Sequence, residues 1–196
     1  MISHEKKFVF VHINKTGGTS ISNVLRRFAP NDTFNKHEMI HEIPKNSKKS
    51  FLNQDNISNQ LKDGVDYFKF TFVRNPWDRC VSNFFWHRKR YPEKRHAKMS
   101  FEDYLDDLDS DWTTSYNQID WLVDRSGKIC LDFIGRFENL EEDFSKVCVA
   151  LGIKNDKLPH VNKSPHRSYR TYYDKDGLIK VKRFYKRDIE YFNYKF

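Results

Sequence analysis

The sequence predicts an α/β layered fold with a mainly parallel sheet, and three observations carry that reading. Short apolar runs bounded by turn residues alternate with segments of helical periodicity. The apolar runs are continuous rather than alternating, which suits strands buried on both faces. No internal repeat or low-complexity linker divides the 196 residues, so they are read as one domain spanning 1–196.

The elements follow in order. Phe8 to Ile13 is apolar apart from His12 and predicts the first strand. Ile21, Val24, Leu25 and Phe28 then fall at i, i+3, i+4 and i+7, one face of a helix. Residues 30 to 64 are a long polar excursion carrying His37 and His41. Tyr67 to Val73 predicts a second, aromatic strand. In "RNPWDRCVSNFFW", Asn75 is a good N-cap, Pro76 suits the first helical position, and Trp77, Val81, Phe84 and Phe85 form one face. Ser100 with Asp103 opens a short acidic helix that turns Phe101, Tyr104, Leu105 and Leu108 inward. "KICLDFIGRF" predicts the third strand. Asn139 and Glu142 form a capping-box-like start for a helix burying Leu140, Phe144, Val147 and Leu151, which Gly152 stops. "LPHVNKSPHRSYR" reads as a loop, and 178 to 192 as a final amphipathic helix.

Composition narrows the partners. Aromatics make up 16% of the chain, with 17 Phe and 10 Tyr, which points to an aromatic core. The formal net charge of +8 favours anionic partners. The basic residues are scattered and are not interleaved with aromatics on one face, which argues against a nucleic-acid module. Three cysteines, Cys80, Cys130 and Cys148, with no CxxC pair, suit a reducing compartment without a disulfide framework. No apolar run approaches ~18 residues, so the sequence predicts no membrane span, and a cytoplasmic protein is expected.

The chemistry concentrates in "FVFVHINKTGGTSISNVLRRF", residues 8 to 28. A strand that ends in glycines and feeds a helix presents backbone N–H groups at the positive end of the helix dipole. Gly17 and Gly18 allow close approach of an anion. Thr16, Thr19 and Ser20 add hydroxyls, and Lys15 adds a full charge. A bare Gly-Gly would be a plain tight turn; the lysine, the hydroxyls and the flanking elements together favour a phosphate-like anion. The nucleotide loop GxxxxGK[ST] does not fit, because the lysine precedes the glycines, so that Thr16, although next to it, has no proper magnesium-holding place. A P-loop kinase or NTPase is therefore the second reading. A zinc peptidase is the weakest: "HEMIH", His37 to His41, matches HExxH, but its flanks are polar and no third ligand can be placed.

"FVHINKTGGTSI" resembles the 5′-phosphosulfate-binding loop of sulfotransferases that use 3′-phosphoadenosine 5′-phosphosulfate (PAPS). It is most similar to the carbohydrate-type family that includes the heparan sulfate 2-O-sulfotransferases and small bacterial members. "FTFVRNPWDRCVS" resembles that family's 3′-phosphate-binding strand and helix, and "IGRFENLEEDF…LGI…LPHVNKS" its downstream pattern. Asn14 departs from it, standing where a proline is usual before the lysine.

The resemblance implies a P-loop-NTPase-like three-layer fold with a central, mainly parallel sheet flanked by helices. It implies a sulfotransferase that needs no metal, takes PAPS, and leaves adenosine 3′,5′-bisphosphate after transfer to a hydroxyl, most simply of a glycan. Lys15 would then act on the bridging oxygen or departing phosphate, with Thr16, Gly17, Gly18, Thr19 and Ser20 around it. Arg74 would fork onto the 3′-phosphate, with Ser82 adding a hydroxyl bond; the plain alternatives are an Arg74–Asp78 ion pair and a surface serine. His37 resembles the "KH" after the family's anion loop and is the expected general base. Lys163 and Ser164, with Arg167, resemble the late loop that closes over the cofactor. His87, His160 and His166 are expected only as contacts of acceptor or cofactor, and His12 as a core histidine.

Overall fold

A computed structural model describes residues 1–30, 61–111, 114–123, 127–159 and 166–196 of the chain. A four-stranded, mostly parallel sheet flanked by helices makes this an α/β fold. The chain forms two compact units, Met1–Val73 with Asp120–Val161, and Arg74–Ile119 with Asn162–Phe196.

The first unit holds the sheet, in the order β1 (Ile2–Ser3), β2 (Phe8–Val11), β3 (Phe68–Val73) and β4 (Phe133–Arg136). β2, β3 and β4 run parallel, with Phe10 opposite Phe70 and Phe70 opposite Phe133; the two-residue β1 is antiparallel to β2. Every residue of β2 is buried, as a continuous apolar run requires. Helices α1 (Gly18–Leu25) and α5 (Leu140–Ala150), the latter numbered after three helices of the second unit, pack on this sheet. They close a core of Phe8, Phe10, Phe70, Phe72, Ile21, Leu25, Phe144, Val147 and Leu151. The expected aromatic core is there: the Phe10 and Phe70 rings stack at 5.1 Å.

Two boundaries of this unit differ from the sequence reading. The first helix ends its regular turns at Leu25, and Arg26–Phe28 tighten into a 3-10 turn that leaves Phe28 only partly buried. The capping box at Asn139 is not made: its side chain caps nothing, and Glu142 pairs with Lys146 at 3.0 Å one turn on. At the other end, Gly152 takes φ +60°, its N–H reaches the Val149 carbonyl, and the Ile153 N–H reaches that of Cys148. That paired arrangement is the Schellman stop that glycine permits.

The second unit is helical: α2 (Pro76–Arg90), α3 (Arg95–Lys98), α4 (Phe101–Asp106), α6 (Lys175–Phe184) and α7 (Lys186–Tyr191). Asn75 caps α2 by accepting from the Trp77 N–H, and Ser100 caps α4 by accepting from that of Asp103, both as their sequence positions predict. The final helix starts earlier than expected and is interrupted. Asp174 caps its start, accepting from the Gly177 N–H at 2.7 Å. The Asn117 side chain then enters the ladder, donating to the Phe184 carbonyl at 3.4 Å and accepting from the Asp188 N–H at 3.3 Å. A side chain inserted into the i→i−4 ladder is a recognised cause of a helix break.

Candidate functional site

The loop expected to hold an anion lies in the first unit. β2 ends at Val11, and α1 begins at Gly18. Between them the backbone turns twice through the left-handed region, at Lys15 (φ 69°) and at Gly17 (φ 83°). Glycine adopts that geometry freely, while a lysine there is strained, a cost that clusters at functional loops. Gly17 serves as N-cap, its carbonyl accepting from the Ser20 N–H at 3.0 Å. No acidic residue sits in the first turn of α1, so nothing there offsets the positive end of its dipole. A Cβ on Gly17 would meet Leu140 at 2.9 Å, and one on Gly18 would meet the His12 ring at 2.1 Å. Gly17 is thus required by conformation and packing, and Gly18 by packing alone.

The hydroxyls divide. Thr16 is buried, and its Oγ1 donates to the Ile13 carbonyl at 2.9 Å, which ties the loop to the strand that feeds it. Ser20 is buried in the first turn of α1, and Thr19 is half-buried beside it. Lys15 is half-buried, and so is His12, which stacks on Phe10 at 5.6 Å at the edge of the core where a fully buried histidine was expected.

Arg74 and Ser82 lie in the second unit. Asp78 and Ser82, four residues apart, share one face of α2, and Arg74, two residues before the helix, reaches it through Asp78. Arg74 Nε donates to Asp78 Oδ2 at 2.9 Å, with the two side chains 8% and 17% exposed. The ion pair expected as the plain reading is therefore present, and it aims one edge of the guanidinium. The backbone of Arg74 is held by a residue that the sequence did not single out. Gln118 accepts from the Arg74 N–H and donates to its carbonyl, each at 2.8 Å. Asp188, fully buried, accepts from the Gln118 and Ile119 N–H groups and from Gln118 Nε2. Burial pushes the Asp188 carboxyl up, and Arg79 opposes that shift. No motif marks Gln118 or Asp188, because their role depends on chain segments far apart in sequence.

His37, Lys163 and Ser164, with His41 and His160, lie outside the described residues. His87 is buried against Asp111, so it is not an open contact residue. His166 stacks on Phe85 at 5.4 Å.

The strand–loop–helix and the Arg74 helix belong to a known pattern. A family model described as Sulfotransferase family matches residues 1–195, and the chain belongs to the sulfotransferase family. An uncharacterized protein of Archaeoglobus fulgidus is 30% identical over 123 residues, covering 62% of this chain and 96% of its own. Among solved structures, mouse sulfotransferase SULT7A1 complexed with PAP matches with a TM-score of 0.58 at 14% identity, over 96% of this chain and 86% of its own. A sulfotransferase from Alicyclobacillus acidocaldarius matches with a TM-score of 0.53 at 17% identity, over 94% and 92%. At these identities the two structures speak for the fold.

Proposed function

We propose that this sulfotransferase acts as one domain, 1–196, taking PAPS as donor and a hydroxyl, most simply of a carbohydrate, as acceptor. The observation that supports this most is the loop itself: two left-handed residues, Lys15 and Gly17, open a helix with no acid in its first turn. Its donor set suits a sulfate or phosphate, and the family match and the PAP in SULT7A1 agree with that choice. PAPS supplies an activated sulfuryl group when bound. The backbone N–H groups of Gly17, Gly18 and Thr19 and the Ser20 hydroxyl bind its anionic end, and Lys15 stabilises charge on the departing phosphate. Fixed dipoles need no reorganisation as that charge develops, so they lower the barrier. Thr16 shapes the loop through its bond to Ile13 and contributes its backbone N–H. Arg74 and Ser82 hold the 3′-phosphate, and Lys163 and Ser164 add a contact from the late loop. His37 removes the acceptor's proton.

No helix among the described residues is long and apolar enough to cross a membrane; the cytoplasmic setting is part of the proposal. The deciding experiment compares adenosine 3′,5′-bisphosphate, Mg-ATP and an oligonucleotide by thermal shift. It then follows sulfate transfer from PAPS to a panel of glycans and small alcohols. At 100 times its dissociation constant the true ligand adds about 2.7 kcal/mol. Stabilisation by Mg-ATP alone would favour the kinase reading, and by the oligonucleotide alone the nucleic-acid reading. Hydrolysis of peptides without sulfate transfer would favour the peptidase.

A further inference from the structure

The second unit contains a cluster that sulfuryl transfer does not use. His87 on α2, His96 on α3 and Asp111, just past α4, each place one donor atom within 4.8 Å of the others. His87 and Asp111 are buried, and His96 is half-buried. We propose that these three residues form a structural site for a divalent transition cation of the zinc class.

The donor set is two imidazoles and one carboxylate, which suits zinc and its neighbours and not magnesium or calcium. Spacing agrees. His87 Nε2 stands 3.2 Å from both oxygens of Asp111. A charge-assisted hydrogen bond between such groups would favour one oxygen at about 2.7–2.9 Å. Ligand atoms about 2.0–2.1 Å from a tetrahedral zinc lie about 3.3 Å apart, close to what is seen. The carboxylate is also oriented from behind, as metal-ligating carboxylates are. Asp111 Oδ2 accepts from Asn83 Nδ2 at 2.6 Å and from the Tyr104 hydroxyl at 2.7 Å. His96 Nε2 now bonds Asp107 Oδ2 at 2.8 Å, so its ring would turn toward the metal, and Asp107 or a water would fill the fourth position. The competing reading is a plain hydrogen-bonded cluster. It takes the symmetric His87–Asp111 contact as a hydrogen bond shared by both oxygens at the long end of the range, whereas a cation takes it as two ligands of one ion, and metal binding separates the two. Such a cation would clasp three consecutive elements: α2, α3 and the end of the α4 segment.

The test is metal binding by the full chain after chelation and dialysis, with Zn²⁺ measured by calorimetry and Co²⁺ by its visible ligand-field spectrum. The expected result is one Zn²⁺ per chain, a four-coordinate Co²⁺ spectrum, and a higher melting temperature with metal. His96→Gln should weaken Zn²⁺ binding about tenfold or more. It leaves His87 and Asp111 in place and should fold; the wild-type stoichiometry and spectrum decide the matter even if it does not. His37→Ala and His41→Ala should bind Zn²⁺ as the wild type does. No stoichiometric Zn²⁺, an aquo-type Co²⁺ spectrum, or binding lost in the His37 and His41 variants but kept in His96→Gln would each overturn the proposal. Affinity for adenosine 3′,5′-bisphosphate, measured with and without chelator, reports separately on the sulfotransferase reading.

Discussion

The ring of His12 rests on the first residue of α1: a Cβ on Gly18 would lie 2.1 Å from His12 Cδ2 and 2.2 Å from Nε2. Gly18→Ala would gain about 1 kcal/mol of helix propensity. Overpacking of this order costs about 1–3 kcal/mol, so the net effect is expected to be destabilising. In a His12→Ala background the same substitution should lose its penalty. Urea denaturation of the four proteins in the cycle measures this, and equal costs in both backgrounds would exclude the ring contact as the cause.

Lys15→Ala is expected to lower turnover far more than it weakens cofactor binding. In the proposed reaction its charge acts where negative charge develops during transfer, so the interaction should strengthen in the transition state. Steady-state rates and calorimetric binding of adenosine 3′,5′-bisphosphate separate the two effects. Full turnover with only a fall in affinity would remove Lys15 from the chemistry.

Arg74→Ala should weaken adenosine 3′,5′-bisphosphate by ~1.5–3 kcal/mol, as loss of a charge-assisted contact to phosphate does. Adenosine 5′-phosphosulfate, which lacks the 3′-phosphate, should bind nearly unchanged. Asp78 holds Nε at 2.9 Å, so the test also weighs two roles of Arg74. Equal losses for both ligands would make the residue a support of the helix start.

His37→Ala should cost roughly 10²–10⁴ in turnover while leaving cofactor affinity intact, the range typical of a lost general base. The rise of the wild-type rate with pH should vanish with it. His41→Ala should stay active. Equal damage from both substitutions, with zinc lost from the stretch, would instead support the HExxH pairing.

Native thiols should differ sharply in reactivity. Cys80 is fully buried, and burial pushes its thiol up to about 12. Only about 10⁻⁴ of it is thiolate at pH 8, and the thiolate is the nucleophile. Cys148 is buried and pushed up by burial as well, while Cys130 is only half-buried. One thiol per chain is therefore expected to react quickly with a disulfide reagent, the other two only on unfolding. The fast one disappears in Cys130→Ser; two fast thiols in the native chain would contradict the burial of Cys80 or Cys148.

What the sequence determined by itself is local. The apolar run at Phe8, the Asn75 and Ser100 caps and the glycine stop at Gly152 each depend on a few adjacent residues, and each stands where it was expected. The turn between Val11 and Gly18 belongs with them, since glycines between a strand and a helix state their own geometry. Where a distant partner competes, local pattern loses. Asn139 has the right type for a cap and makes none, and the last helix, continuous by its periodicity, breaks where Asn117 enters it. Gln118 bracketing Arg74, Asp188 beneath Gln118, and His87 meeting Asp111 were decided only by tertiary structure. These are side-chain bonds between segments 24 to 70 residues apart. Their strength comes from burial, and burial exists only once the chain has folded.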